Sequence, residues 1–278
     1  MKLDGRELAQ EIYVGLNLEV DELKKSGIEP HLVVILFGNN PNSLSYIKQK
    51  QKGAEKIGAK LTFIHKSTIP SQPVAEQLVK KYTNDPLVHA LIVQRPIPPP
   101  LDTDKLIGLN SLVKDVDGFL PNSPYLPPVG LAVIKVLEKI CILQEKGTDF
   151  VAWAKRKHVL LIGRGETGGK PIAKTLTEYG LRFDQIHSNT PNKESLFQNA
   201  DIIISAIGKS GTIPIHLLKK EAVLVGVGLH EENGKLIGDY DDTEAEKLVD
   251  FYTPTPGGTG PVNVACLMEN LVAAAKQA

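Results

Sequence analysis

Short runs of β-branched and aliphatic residues, recurring between stretches of helical periodicity, limit this chain to an α/β fold. The runs are "HLVVILFG" (31–38), "KLTFIHK" (60–66), "ALIVQRP" (90–96), "HVLLIG" (158–163), "FDQIHS" (183–188), "DIIISAIG" (201–208) and "AVLVGVG" (222–228). Leu8, Ile12, Leu16, Val20 and Leu23 recur at three- and four-residue steps, so residues 4–27 read as an amphipathic helix with Asp4 as cap and Gly27 as stop. Ser43 to Ile57, closed by Gly58, and residues 73–84 read as further helices. Strands alternating with helices form parallel sheets covered on both faces. Pro96, Pro98, Pro99 and Pro100 stop the third run, and "DVDGFLPNSPYLPPVG" (115–130) has the Pro/Gly/Asn content of a domain boundary. A helix over 130–143 then opens a second series, whose last four runs predict the buried strands of a doubly wound sheet. The chain closes with "YTPTPGGTGP" (252–261) and an apolar helix from Val262 to Ala274, which the Gly/Pro break leaves able to pack back onto the first domain.

A length of 278 residues suits two domains of ordinary size. Lys plus Arg and Asp plus Glu both total 32, so no excess charge points to nucleic acid or a membrane surface, and small-molecule chemistry is expected. Cys141 and Cys266 lie in apolar helical stretches without CxxC or Cys/His spacing, as buried reduced thiols do, and no metal site is expected. No apolar run approaches membrane-span length, and "MKLDGRELAQEI" is too charged for a signal peptide; a soluble, cytoplasmic protein is expected.

In "GRGETGGKP" (163–171), Gly163, Gly165 and Gly168 match GxGxxG between a buried strand and a helix over 169–180, with Pro171 tolerated in the first turn. Such glycines let backbone N–H groups approach a pyrophosphate at the helix N-terminus. The next strand ends in His187 and Ser188 without an acid, since Asp184 lies at its beginning. Arg164 in the loop can pair with a 2′-phosphate and Ser188 can donate to it, which favours NADP, with NAD as the alternative. Glu166 repels a pyrophosphate unless its side chain turns outward.

Tyr46 and Lys50 in "YIKQK" are one helical turn apart, a spacing that by itself describes a solvated helix pair as well as a catalytic one. Short-chain dehydrogenases carry Tyr-x-x-x-Lys after their glycine loop; here the pair comes more than a hundred residues before it, as in a separate substrate domain. The ordered blocks "PNSLSYIKQKQKGAEKIG", "LIVQRPIP", "KDVDGF", "GRGETGGKP", "ADIIISAIGKSG" and "YTPTPGGTGPVNVACLMENL" resemble the bifunctional methylenetetrahydrofolate dehydrogenase/methenyltetrahydrofolate cyclohydrolase family over nearly the whole chain. The resemblance implies a catalytic domain over 1–128 joined by the C-terminal helix 261–278, and a Rossmann-like NADP domain over 129–260 in a homodimer. It implies that Tyr46, Lys50, Gln94 and Asp117 line the folate site. Gly163 to Gly169 would hold NADP, and the run Pro256, Gly257, Gly258 to Pro261 would border the substrate.

The residue types suit the chemistry the resemblance implies. Hydride transfer from the methylene bridge needs positioning. Hydrolysis of the methenyl cation needs a group that moves protons, and a lysine of lowered pKa can do so. On this reading Gln94 orients Lys50, Tyr46 offers a ring face and a hydroxyl, and Asp117 accepts from the 2-amino-pyrimidine edge of the pterin.

The chain also departs from the family. The Pro-Cys-Thr-Pro block reads "YLPPVG" (125–130), Gly165 and Gly168 replace serine and valine, and "IDVGIN" reads "VGVGLH" (225–230) with Gly226 for aspartate. "PVPGGVGPMT" has become "PTPGGTGPVN" (254–263), and Arg95 stands where leucine is common. Nearly all these changes lie on the cofactor side. Two other readings therefore stay open: a cyclohydrolase or folate-binding protein with weakened or lost dehydrogenase activity, and a shikimate-type two-domain dehydrogenase.

Overall fold

A computed structural model describes residues 1–232 and 234–277. The chain forms two compact units, Gln10–Pro128 with Val264–Ala278, and Met1–Ala9 with Val129–Asn263.

The first unit is built on helix α1 (Gly5–Lys25), β1 (His31–Phe37), α2 (Pro41–Ile57), β2 (Lys60–Lys66), α3 (Gln72–Thr83), β3 (Ala90–Val93) and the short α4 (Thr103–Gly108). Asp4 caps α1 by accepting from the Arg6 N–H at 2.8 Å. Asn40 caps α2 by accepting from the Ser43 N–H, and Gly58 ends it at φ 71°, a left-handed conformation that glycine adopts without strain. The strands form a parallel sheet in the order β2-β1-β3, with His31 opposite Lys60 and Leu32 opposite Ala90. The central strand is buried at every residue, whereas β2, on the edge, is half-exposed.

The second unit begins with α5 (Pro128–Gln144), α6 (Phe150–Lys155), β4 (Val159–Ile162), α7 (Gly169–Glu178), β5 (Phe183–Ile186), α8 (Lys193–Asn199) and β6 (Ile202–Ser205). It continues through β7 (Val223–Gly226), the hairpin β8 (Leu229–Glu232) and β9 (Lys235–Gly238), α9 (Asp242–Leu248), β10 (Phe251–Tyr252) and α10 (Thr259–Ala275). The main sheet is parallel in the order β10-β7-β6-β4-β5. Chain order reverses about β4, which gives the doubly wound topology. β4, β6 and β7 are fully buried as read from the sequence, but β5 is not: it pairs with β4 alone and exposes Asp184 and Gln185. The hairpin and β10 carry no clear strand signal in the sequence; β10 is only two residues long.

Both chain ends cross over. The segment from Val264 packs into the first unit, where the Asn270 side-chain amide donates to Val116 O at 2.8 Å and Leu126 O at 3.0 Å. Gly53 makes room for it, since a Cβ there would lie 2.7 Å from Val264 Cγ1. The helix expected over 261–278 begins at Thr259 and is helical to Ala275; Ala278 lies outside the described residues. The first residues differ from the expected 1–128 grouping and join the second unit. Lys2 bridges to Tyr252, the Leu3 N–H donates to Tyr252 O at 2.9 Å and the Gly5 N–H to Gly257 O at 2.8 Å. They cover the open edge of β10, which would otherwise leave backbone groups unpaired.

Candidate active site

The buried face of α2 runs Ser43, Ile47, Lys50, Ala54 and Ile57, so Lys50 occupies a position that helical spacing reserves for an apolar side chain. Its side chain is 2% exposed. Lys50 Nζ donates to Gln94 Oε1 at 3.1 Å, lies 3.8 Å from Asp117 Oδ2 and stands 5.1 Å from the centre of the Tyr46 ring. The four side chains expected at the folate site therefore form one cluster.

Each is held by local structure. Gln94 follows β3, and its N–H continues the sheet by donating to Ile35 O at 2.8 Å. Its side-chain amide donates to Arg95 O at 3.0 Å, which leaves the amide oxygen facing Lys50. Asp117 sits in a turn completed by Gly118 at φ 67°, where a Cβ would meet Tyr125 O at 2.6 Å and no other residue fits. The buried Asp115 braces that turn, its carboxylate accepting from the Leu120 N–H at 2.8 Å and its carbonyl from Ser123 Oγ at 3.1 Å. Sequence reading missed Asp115; the Asp-x-Asp-Gly spacing was its available signal. Arg95, the replacement for leucine, lays its guanidinium 4.1 Å from the centre of the Phe119 ring.

Burial pulls the Lys50 pKa below 10.5, and the Asp117 carboxylate pulls part of the way back. Desolvation is the largest effect because the amine has lost its water, and Asp117 at 3.8 Å opposes it by charge and by hydrogen bonding. Burial, then Asp117, push the Tyr46 hydroxyl upward, so it stays protonated and a donor. The cluster thus combines an amine whose pKa burial lowers, an acceptor that orients it and a carboxylate open to a ligand. That set can take a proton from water while holding a cationic substrate.

The glycine loop lies in the second unit, between β4 and α7. Gly163 has φ +109°, and a Cβ on it would lie 2.5 Å from Ala206 O. One on Gly169 would lie 2.3 Å from Gly163 O. These two glycines are required by the protein's own packing. A Cβ on Gly168 would lie 3.4 Å from Ala206 Cβ, and one on Gly165 would meet nothing within 4 Å. Gly165 therefore leaves open surface at the N-terminus of α7, as close approach by a dinucleotide requires. Arg164 is exposed, and Glu166 is paired with Lys170, which offsets its charge. His187 and Ser188 follow β5; the His187 N–H donates to Thr190 Oγ1 at 3.0 Å, and Ser188 O accepts from Lys193 Nζ at 2.6 Å. Arg164 and Ser188 thus lie at the carboxyl ends of neighbouring strands, β4 and β5.

Pro256, Gly257, Gly258 and Pro261 belong to the second unit, whereas Tyr46, Lys50, Gln94 and Asp117 belong to the first. Gly257 (φ +112°) and Gly258 are buried; a Cβ on Gly257 would lie 2.5 Å from the Arg6 guanidinium and one on Gly5 would lie 1.8 Å from Gly258 O, so Gly5 and Gly257 let the N-terminal segment pass close to this run. Pro256 is exposed, accepting at its carbonyl from the Arg6 guanidinium at 3.4 Å, and Pro261 is half-buried in the first turn of α10.

Comparison with known proteins covers most of the chain with two family domains. The catalytic domain of the tetrahydrofolate dehydrogenase/cyclohydrolase family matches residues 3–117, and the family's NAD(P)-binding domain matches residues 139–278. The bifunctional protein FolD of Oceanobacillus iheyensis is 36% identical, over 99% of this chain and 96% of its own length. The crystal structure of the bifunctional FolD methylenetetrahydrofolate dehydrogenase/cyclohydrolase of Campylobacter jejuni superposes with a TM-score of 0.89 at 32% identity, covering 100% of this chain and 99% of that one. The Trypanosoma brucei enzyme, complexed with NADP cofactor and inhibitor, gives a TM-score of 0.89 at 27% identity, covering 100% and 97%.

Proposed function

Because this chain belongs to the tetrahydrofolate dehydrogenase/cyclohydrolase family, we propose that it oxidises 5,10-methylenetetrahydrofolate to 5,10-methenyltetrahydrofolate with NADP and hydrolyses that product to 10-formyltetrahydrofolate. The observation that carries the hydrolytic half is the buried Lys50 amine, held by Gln94 and 3.8 Å from Asp117.

In hydrolysis, neutral Lys50 takes one proton as water adds to the methenyl carbon. The bond from that carbon to N5 then breaks as the hydroxyl proton passes to N5, leaving the formyl group on N10 and one proton released overall. Gln94 keeps the amine lone pair aimed, Tyr46 packs its ring against the folate, and Asp117 accepts from the pterin N–H groups. In the second unit, backbone N–H groups of Gly163 to Gly169 would hold the pyrophosphate, with Arg164 and Ser188 on the 2′-phosphate and His187 beside them. When bound, NADP supplies the hydride acceptor. The open surface at Gly165 and the Lys170 partner of Glu166 support a retained dinucleotide site. No described helix is long and apolar enough to cross a membrane. The buried thiols Cys141 and Cys266, neither in a disulfide, favour a reducing compartment, and our reading extends to a cytoplasmic homodimer, tested by sedimentation and fractionation.

The deciding assay follows reduced nicotinamide and the methenyl intermediate separately, with 5,10-methylenetetrahydrofolate and NADP or NAD. NADPH formation well above NADH formation, with methenyl hydrolysis abolished in Lys50→Met, is expected. Hydrolysis at the wild-type rate in Lys50→Met would remove the lysine from the mechanism, and hydrolysis without any reduced nicotinamide would remove the dehydrogenase.

A further inference from the structure

Asp239, immediately after β9, has its side chain wholly buried and takes no part in the mechanism above. Its Oδ2 accepts from Ser205 Oγ at 2.5 Å and from the Ile207 N–H at 3.0 Å; its Oδ1 accepts from the N–H groups of Gly208 at 2.7 Å and Lys209 at 2.9 Å. Successive N–H groups turned to one point make an anion-binding nest, and here the protein fills the nest with its own carboxylate. The space is reserved: a Cβ on Gly228 would lie 2.2 Å from Asp239 Oδ2 and 2.4 Å from the Gly208 nitrogen.

The clamped segment follows β6 and is the wall on which the glycine loop rests. Ala206 O occupies the space a Cβ on Gly163 would need, Ala206 Cβ lies beside Gly168, and the Ala206 N–H donates to Ile162 O at 2.8 Å. A shift of the wall would be transmitted to the loop, because backbone packs on backbone without a flexible side chain between them. The hairpin β8–β9 thus ends in a residue that fixes the floor of the glycine loop.

We propose that Asp239 is a positioning residue for the dinucleotide, holding Ala206–Lys209 against Gly163 and Gly168 so that the glycine loop keeps its binding shape. The proposal rests on the reading that this unit binds NADP. In Asp239→Asn, one oxygen becomes an NH2 group facing N–H donors, and the nest loses its anion.

The experiment measures Michaelis constants for NADP and methylenetetrahydrofolate, NADPH binding by fluorescence, and methenyl hydrolysis, which needs no dinucleotide. The KM for NADP and the NADPH dissociation constant should both rise at least tenfold, while the folate KM and methenyl hydrolysis stay within twofold of wild type. An unchanged NADP KM, or hydrolysis falling in parallel, overturns the proposal. If Asp239→Asn does not fold, Ser205→Ala removes a single donor and keeps the carboxylate; a threefold rise confined to NADP supports the proposal and no change overturns it. A wild-type protein that takes up no NADPH fails differently: it overturns the dinucleotide reading itself, and this role with it.

Discussion

A lysine amine with 2% exposure is costly for a folded chain, and its pH behaviour follows from that cost. The folded pKa of Lys50 lies below 10.5, so between the two values the unfolded chain binds a proton that the folded chain lacks. Folding stability from this group therefore rises with pH across that window. Cyclohydrolase activity should rise with pH in the same sense, as the neutral amine accumulates, with its midpoint below 10.5. Asp117 pulls the Lys50 pKa upward, so Asp117→Asn should move the Lys50 titration, followed by NMR of the labelled amine, to lower pH; a move upward would contradict the geometry. Lys50→Met should abolish hydrolysis and raise stability by about 1 kcal/mol or more, read as a higher Tm, because an apolar chain of similar size replaces a desolvated amine. Lys50, Gln94 and Asp117 were legible as members of ordered sequence blocks. Asp115, although it shares the Asp-x-Asp-Gly block with Asp117, and Asp239 were not singled out, because a buried carboxylate and a solvated one look alike until the donors around it are known.

Glycines decide how closely elements approach, and each kind leaves a different signature when replaced. Gly53→Ala on α2 should gain about 1 kcal/mol of helix propensity and lose about 1–3 kcal/mol to crowding against the short, branched Val264, a net loss of stability. Adding Val264→Ala should relieve the crowding and leave the cavity cost of the smaller residue, so a non-additive Tm in the double variant is the check. In the loop after β4, Gly163→Ala should unfold or strongly destabilise the second unit, since both its φ of +109° and the Ala206 carbonyl exclude a side chain. Gly165→Ala should leave the Tm unchanged, because nothing lies within 4 Å, while raising the KM for NADP; loss of Tm there would assign Gly165 to packing. The strand runs and helix caps were readable from the sequence because their signals are local. The exposure of β5 was not, since an edge position depends on which strands pair, and neither was β10, with two residues and no period to detect.

Each compact unit borrows chain from the far end of the sequence, so neither corresponds to a continuous stretch. A chain ending at Asn263 should lose cooperative folding of the Gln10–Pro128 unit and with it cyclohydrolase activity, because the buried Val264, Leu267, Met268 and Leu271 would be missing from its core. NADPH binding by the same truncated chain should survive; recovery of hydrolysis without the helix would show that α10 is dispensable. The sequence by itself determined the α/β class, the parallel strands, the position of the glycine loop and the family, because these depend on local periodicity and on residues at fixed separations. Only the tertiary structure decided that Lys50 is sealed while Arg164 is exposed, that residues 1–9 side with the second unit, and that Asp239 fills a nest of N–H groups from another strand's loop. Burial and partner choice depend on residues tens to hundreds of positions apart, and distance along the chain carries no information about them until it has folded.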